Sequence, residues 1–136
     1  IGAQNGQLVV MSGGEKSAFN HVKPLIDCYS SQCLLMGEAG AGHHTKMANQ
    51  IMVAASMIGV CEAMIYSYKA GIKLDQMVDL LKGGAAGSFT LAKQAPRMIN
   101  RDFKPGFYVE HFVKDLGIVL DESKRMNISL PGTALA

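Results

Sequence analysis

The sequence lacks most of the features that announce a charged partner or a metal. No run of Lys or Arg exceeds two residues, and the formal net charge is only +2. A basic stripe for nucleic acid is thereby excluded. Three cysteines, Cys28, Cys33 and Cys61, are odd in number and never spaced as CxxC. That argues against a zinc or disulfide framework and for buried thiols in a reducing, cytoplasmic compartment. The chain contains no internal repeat, no low-complexity segment and no signal-peptide pattern. An initiating methionine is missing at Ile1, and Ile128–Ala136 is apolar with no polar closure. Both ends therefore read as cut, and a piece of a longer protein is expected.

The 136 residues suit about one ordinary domain. With 49% hydrophobic and 18% charged residues, the chain is expected to fold rather than stay disordered. Gln7–Ser12 reads as a strand closed by Gly13-Gly14. Glu15–Tyr29 places Ala18, Phe19, Val22, Leu25 and Ile26 at helical spacing, with Pro24 as an irregularity. Cys33–Met36 is a second strand bounded by Gly37. After Gly42 the pattern changes. Thr45 to Ala70 reads as one helix of about seven turns, stopped by Gly71. A short amphipathic helix covers Leu74–Leu81. Ser88 caps a helix running to Asn100 with Pro96 interrupting it. Asp102–Gly106 is a loop, Phe107–Met126 contains a further helix, and Pro131 precedes another. The fold class is mainly α: the end of an α/β domain followed by a helical one.

Met47–Tyr66 is long enough to raise a membrane span. Asn49, Gln50 and Glu62 inside it are costly in lipid, so burial in protein is the expectation, with no membrane contact. Glu62 is expected to be a buried partner for a backbone or basic group.

The densest chemistry lies in GAGHHTKMANQ, Gly40–Gln50. Neither a P-loop nor a dinucleotide fingerprint matches Gly40-x-Gly42-x-x-x-Lys46. His43 and His44 are adjacent, so on a helix they diverge by about 100° and cannot share an ion; no metal is expected. Lys46 falls in what reads as the first helical turn, where a cation opposes the dipole. Asn49 and Gln50 lie one turn on, on its face. The group is either an exposed helix start or a lysine and two amides able to hold a carbonyl and move a proton. Phe107, His111, Asp115 and Ile118 share a second face, and Lys114-Asp115 is either a solvated pair or part of a site.

In order along the chain stand Gly40-x-Gly42-x-x-x-Lys46-x-x-Asn49, Cys61-Glu62-Ala63, Lys69-Ala70-Gly71, Gly83-Gly84-Ala85-Ala86-Gly87-Ser88, Asp102-Phe103-x-Pro105-x-Phe107 and Lys114-Asp115-Leu116. This ordered set resembles the β-hydroxyacid dehydrogenase family, nearest its tartronate semialdehyde (2-hydroxy-3-oxopropionate) reductase and 3-hydroxyisobutyrate dehydrogenase branches. The resemblance implies that residues 1–38 are the C-terminal end of a Rossmann domain. It implies that 39–136 are a long linking helix and most of an all-helical domain like the C-terminal domain of 6-phosphogluconate dehydrogenase. It implies NAD or NADP as cofactor, a small 3-hydroxy acid or its semialdehyde as substrate, and a homodimer or homotetramer. Lys46 matches the catalytic lysine. Asn49, Gln50, Phe107 and Asp115 match substrate-side positions, and which of the two amides touches substrate stays open. Lys114, Gly42 and His43 match positions near the cofactor. The fingerprint that grips the dinucleotide would precede Ile1, so the chain alone is expected to be inactive. The alternatives are a non-catalytic assembly domain of the same descent and a larger-substrate relative such as 6-phosphogluconate dehydrogenase. Lys46 speaks against the first and the short helical part against the second.

Overall fold

A computed structural model describes residues 2–136. Ile1, where the expected Rossmann segment begins, lies outside the described residues. The order of elements is β1 (Leu8–Ser12), α1 (Lys16–Asp27), β2 (Ser30–Leu35), α2 (Ala41–Lys69), α3 (Leu74–Leu81), a π-helical turn (Thr90–Gln94), α4 (Ala95–Ile99), α5 (Val109–Arg125) and α6 (Pro131–Leu135). The chain is mostly helical, and among the described residues its sheet has two parallel strands. Two compact units divide it, Ile1–Asn49 and Gln50–Ala136, with α2 contributing to both.

In the first unit β1 and β2 pair in parallel with Val10 opposite Cys33 and Ser12 opposite Leu35, and α1 connects them. A helix is the usual connection between parallel neighbours, because a hairpin cannot reverse the chain direction. Cys33 is buried on this sheet, whereas Cys28 is exposed at the end of α1, so the expectation of buried thiols fails there. Pro24 sits inside α1 without ending it.

The chain then turns sharply into α2. Gly40 has φ +95°, a conformation that suits glycine, and α2 begins at Ala41, four residues earlier than the sequence pattern suggests. Gly42 explains why. A Cβ built there would collide with the carbonyl oxygen of Met11, and one at Gly13 would lie 2.6 Å from the Glu38 carbonyl and 2.9 Å from the Ala41 amide. The first turn of α2 therefore lies directly on the backbone at the end of β1, an approach that any side chain would block.

The second unit is built on Val60, Met77, Val78, Leu91 and Ala95, with Met64, Leu74 and Ile99 packed around them. α3 supplies the amphipathic face expected from its sequence. Ser88 caps the next segment as expected: its Oγ accepts the Leu91 amide at 3.0 Å. That segment is not one helix. Pro96 has no N–H to donate and its ring crowds the carbonyl four residues back. The turn before it widens, so the Ala95 amide reaches the Thr90 carbonyl in a π turn.

Three helices end in the same way, with a residue in the left-handed region and two reversed backbone bonds. After α2, Gly71 (φ +76°) leads to Ile72 donating to Ser67 at 2.9 Å. After α4, Arg101 (φ +55°) leads to Asp102 donating to Arg97 at 2.8 Å. After α5, Asn127 (φ +55°) leads to Ile128 donating to Ser123 at 2.9 Å.

α2 departs from expectation in its surroundings. It is long and apolar enough to cross a membrane by length and composition, and little of it is buried. Met52 is 71% exposed and Tyr66 75%. The anticipated burial is therefore not achieved within this chain, and Glu62 is exposed rather than a buried partner.

Gly42→Ala should destabilise the fold by about 1–3 kcal/mol, since a Cβ meets backbone that cannot step aside. Gly59→Ala, also in α2 but with open space at its Cβ position, should instead stabilise by about 0.5–1 kcal/mol. Urea denaturation of the two variants checks the contrast.

Candidate active site

The site begins in the opening turns of α2. The His44 amide donates to Gly40 at 3.1 Å and the Thr45 hydroxyl to the Ala41 carbonyl at 2.8 Å, which closes the helix start with local bonds. His43 and His44 are exposed in the first turn. Because α2 starts at Ala41, Lys46 belongs to the second turn, so the expected opposition to the helix dipole is weaker there. Lys46 is exposed, Asn49 half-buried and Gln50 buried, in register one turn apart along the same helix.

Gln50 is 4% exposed. Its Nε2 donates to Asp115 Oδ2 at 2.8 Å, joining positions 65 residues apart. Lys114 Nζ lies 3.0 Å from Asp115 Oδ1, with the lysine side chain 64% exposed and the aspartate 18%. Each carboxylate oxygen thus has a donor, one a buried neutral amide and one a solvated cation. The amide is the more constraining of the two, because a buried donor left without an acceptor forfeits its full hydration. Gln50 thereby ties α2 to Asp115 on α5.

Phe107 lies just ahead of α5 rather than on it, since the helix starts at Val109. Its ring stands 6.2 Å from those of His111 and Phe112 in edge-on geometry, and Tyr108 is 5.4 Å from His111. The expected proximity of Phe107 and His111 is present, in a cluster open to solvent.

Arg97 escaped the sequence pattern, and Asp102, quoted there in the Asp102-Phe103 motif, had no site role assigned. Arg97 at the end of α4 donates from Nε to Asp102 Oδ2 at 2.9 Å, from Nη1 to Gln94 Oε1 at 3.3 Å and from Nη2 to the Lys104 carbonyl at 2.6 Å. Asp102 Oδ1 also accepts the Lys104 amide at 3.2 Å. The guanidinium bond, and secondarily the Lys104 amide, hold the Asp102 carboxyl below its ordinary range, while Asp102 raises Arg97. The Asp102-Phe103 motif marked the loop, but an arginine five residues before an aspartate across a helix end is a spacing too common to mark the pair.

The family model for "NAD-binding of NADP-dependent 3-hydroxyisobutyrate dehydrogenase" matches residues 40–136, and that for the "NAD binding domain of 6-phosphogluconate dehydrogenase" matches residues 1–37. The chain belongs to the β-hydroxyacid dehydrogenase family. It is similar to an uncharacterised oxidoreductase of Bacillus subtilis (strain 168), YkwC, at 49% identity over all of this chain and 47% of that protein. It is similar to the 2-hydroxy-3-oxopropionate reductase of Escherichia coli (strain K12), at 40% identity over 98% of this chain and 46% of the reductase. The solved structure of a 3-hydroxyisobutyrate dehydrogenase from Salmonella typhimurium matches with a TM-score of 0.86 at 31% identity, over 98% of this chain and 47% of that one. The chain thus spans about half the length of the relatives it matches.

The cofactor is NAD or NADP. Lys46 in the first unit and Lys114 in the second each carry an exposed ammonium group, of the kind that suits an anionic or carbonyl-bearing neighbour. Gly42 offers no cradle, because the Met11 carbonyl already fills the space its Cβ would take. Among the described residues no cluster of His, Cys, Asp and Glu could hold a metal ion.

Gln50→Leu should cost about 2 kcal/mol by leaving Asp115 short of a buried donor. Gln50→Glu sets two carboxylates at hydrogen-bonding distance, which raises their joint proton affinity. Its stability should therefore fall as pH rises, with guanidinium denaturation at two pH values as the check. For Asp102 the sign is opposite. Its carboxyl is held low in the fold, so the bond is fully present above the unfolded value of about pH 3.9 and is lost as pH falls through the lower folded value. Hydrogen exchange at the Lys104 amide should accelerate over that acid range and lose this dependence in Asp102→Asn.

Proposed function

We propose that this chain is the catalytic and substrate-binding half of an NAD(P)-dependent oxidoreductase that interconverts a small 3-hydroxy acid and its semialdehyde. Tartronate semialdehyde and 3-hydroxyisobutyrate chemistry are the leading candidates. In this reading residues 1–38 close a Rossmann domain, and 39–136 form the linking helix and a 6-phosphogluconate dehydrogenase-like helical domain. One observation carries the reading. Gln50, one helical turn beyond the lysine, is buried against Asp115, the carboxylate expected on the substrate side. Two positions singled out for the same chemistry are in contact although 65 residues separate them.

Bound NAD or NADP supplies the hydride in reduction and accepts it in oxidation. The chain's own groups handle the proton and the fit. Lys46 Nζ donates its proton to the carbonyl oxygen as that oxygen gains charge, and takes the hydroxyl proton in the reverse direction. The Asn49 amide donates to the substrate carboxylate or hydroxyl. Gln50 fixes Asp115, which accepts from a substrate hydroxyl and lowers affinity for a misplaced second anion. Phe107 shields the reacting carbon from water. Lys114 and His43 border the cofactor. The exposed apolar face of α2 suits burial against a second copy, in a homodimer or homotetramer in the cytoplasm.

The test is turnover of the protein expressed from its full gene, following NADH and NADPH oxidation with tartronate, methylmalonate and succinate semialdehydes. Lys46→Ala should lower kcat by about 10²–10⁴-fold, while the 136-residue chain alone shows no turnover. Absence of activity on all three aldehydes, or a Lys46→Ala enzyme as fast as wild type, would remove the proposal.

A further inference from the structure

The loop between α4 and α5 leads into Phe107 and has little apolar packing to order it. Phe103 is 74% exposed and Phe107 57%. Burial of such side chains contributes little, yet fixing each loop residue costs about 1–2 kcal/mol of backbone entropy. Something polar must hold the loop, and the bonds around Arg97 do so.

Arg97 differs from the other ion-paired cations near it in sequence or kind. Lys82–Asp79, Lys124–Asp121 and Arg125–Glu122 are pairs three residues apart along exposed helix surface. Such pairs contribute little. Arg97 instead distributes three nitrogens over three separate points: Gln94 in the π turn, the Asp102 carboxylate and the Lys104 carbonyl. Asp102 returns to the loop by accepting the Lys104 amide, and the Asp102 amide closes on the Arg97 carbonyl. Arg97 therefore binds the loop through both its backbone and its side chain. A planar fork of donors can do this and a point charge cannot. Pro105 restricts Lys104 to extended conformations and so narrows the route from the clamp to the ring. Within the clamp Arg101 adopts φ +55°, a left-handed conformation costing about 1–2 kcal/mol for a residue with a side chain. The surrounding bonds sustain that strain.

We infer that Arg97 is a positioning residue for substrate: it holds the loop from Arg101 to Gly106 in one shape and so sets where the Phe107 ring stands. The inference rests on the proposed substrate-side role of Phe107. Arg97 acts through its bonds to the loop. Loss of the clamp leaves proton transfer intact and weakens the fit of the small acid.

The test is a double-mutant cycle in the full-length enzyme, with hydrogen exchange at the Lys104 amide as a readout independent of activity. Arg97→Met should speed Lys104 exchange and raise KM for the hydroxy acid by about tenfold, with kcat within about twofold. Arg97→Lys should not rescue KM, because one ammonium cannot reach all three partners. Combining Arg97→Met with Phe107→Ala should give the KM of Phe107→Ala alone, the signature of two residues acting as one. Should Arg97→Met fail to fold, Asp102→Asn takes its place in the cycle, with the same non-additivity expected. Unchanged Lys104 exchange, or effects on KM that simply multiply, would overturn the role of Arg97 while leaving the substrate-side reading standing. A wild-type KM in Phe107→Ala alone would sink that reading, and this inference with it.

Discussion

The bond from the Gln50 amide to the Asp115 carboxylate is the constraint on which the helical unit depends. Gln50 is nearly inaccessible, so its amide cannot recover hydration if α5 shifts. A buried donor without an acceptor costs about 1–3 kcal/mol, a large share of the stability of a small domain. The bond also carries direction. An amide donor facing a carboxylate oxygen fixes the rotation of α2 about its axis and the depth of α5 against it more tightly than apolar contact could. The other buried polar groups, Ser67, Thr90, Ser123 and Thr133, lie on helices whose carbonyls are at hand, as when Ser123 donates to Leu120 at 2.8 Å. The Gln50 bond instead spans 65 residues, from α2 to α5.

Much of the fold was legible because it follows local chemistry. The two strands, α1, α3, the Ser88 cap and the end of α2 at Gly71 each follow from a periodicity or a turn residue within a short window. The failures share a different cause. The early start of α2 depends on the backbone of β1 lying where only Gly42 can meet it, a contact that no window of sequence contains. The π turn arises from Pro96 acting on residues behind it. Cys28 was expected inside from cysteine count and spacing, and Glu62 as a structural residue of an apolar helix, but neither says which face of a helix packing covers.

The site was legible to a different degree. Lys46, the two amides, Lys114 and Asp115 could be named from the order of motifs, and the contact between Gln50 and Asp115 joins two of them. The bond from Gln50 to Asp115 was not legible, because it depends on how α5 packs and 65 residues separate the two positions. Arg97 and its bond to Asp102 were missed for a related reason. Its importance lies in one guanidinium joining the π turn to two points of the loop, and such convergence has no sequence signature.

The three helix ends closed by a left-handed residue form a graded series. The geometry is the same at Gly71, Asn127 and Arg101, but the conformational cost rises from a residue without a Cβ, through one whose short side chain tolerates the conformation, to one with a long side chain and no such tolerance. The steepest cost falls at the loop nearest the aromatic cluster. Random substitution would therefore act unevenly along this chain: changes at Gly71 lower stability, while a change to glycine at position 101 raises it. In directed evolution for thermal robustness, position 101 is a soft spot where stability is gained first, and loop rigidity is what the exchange puts at stake.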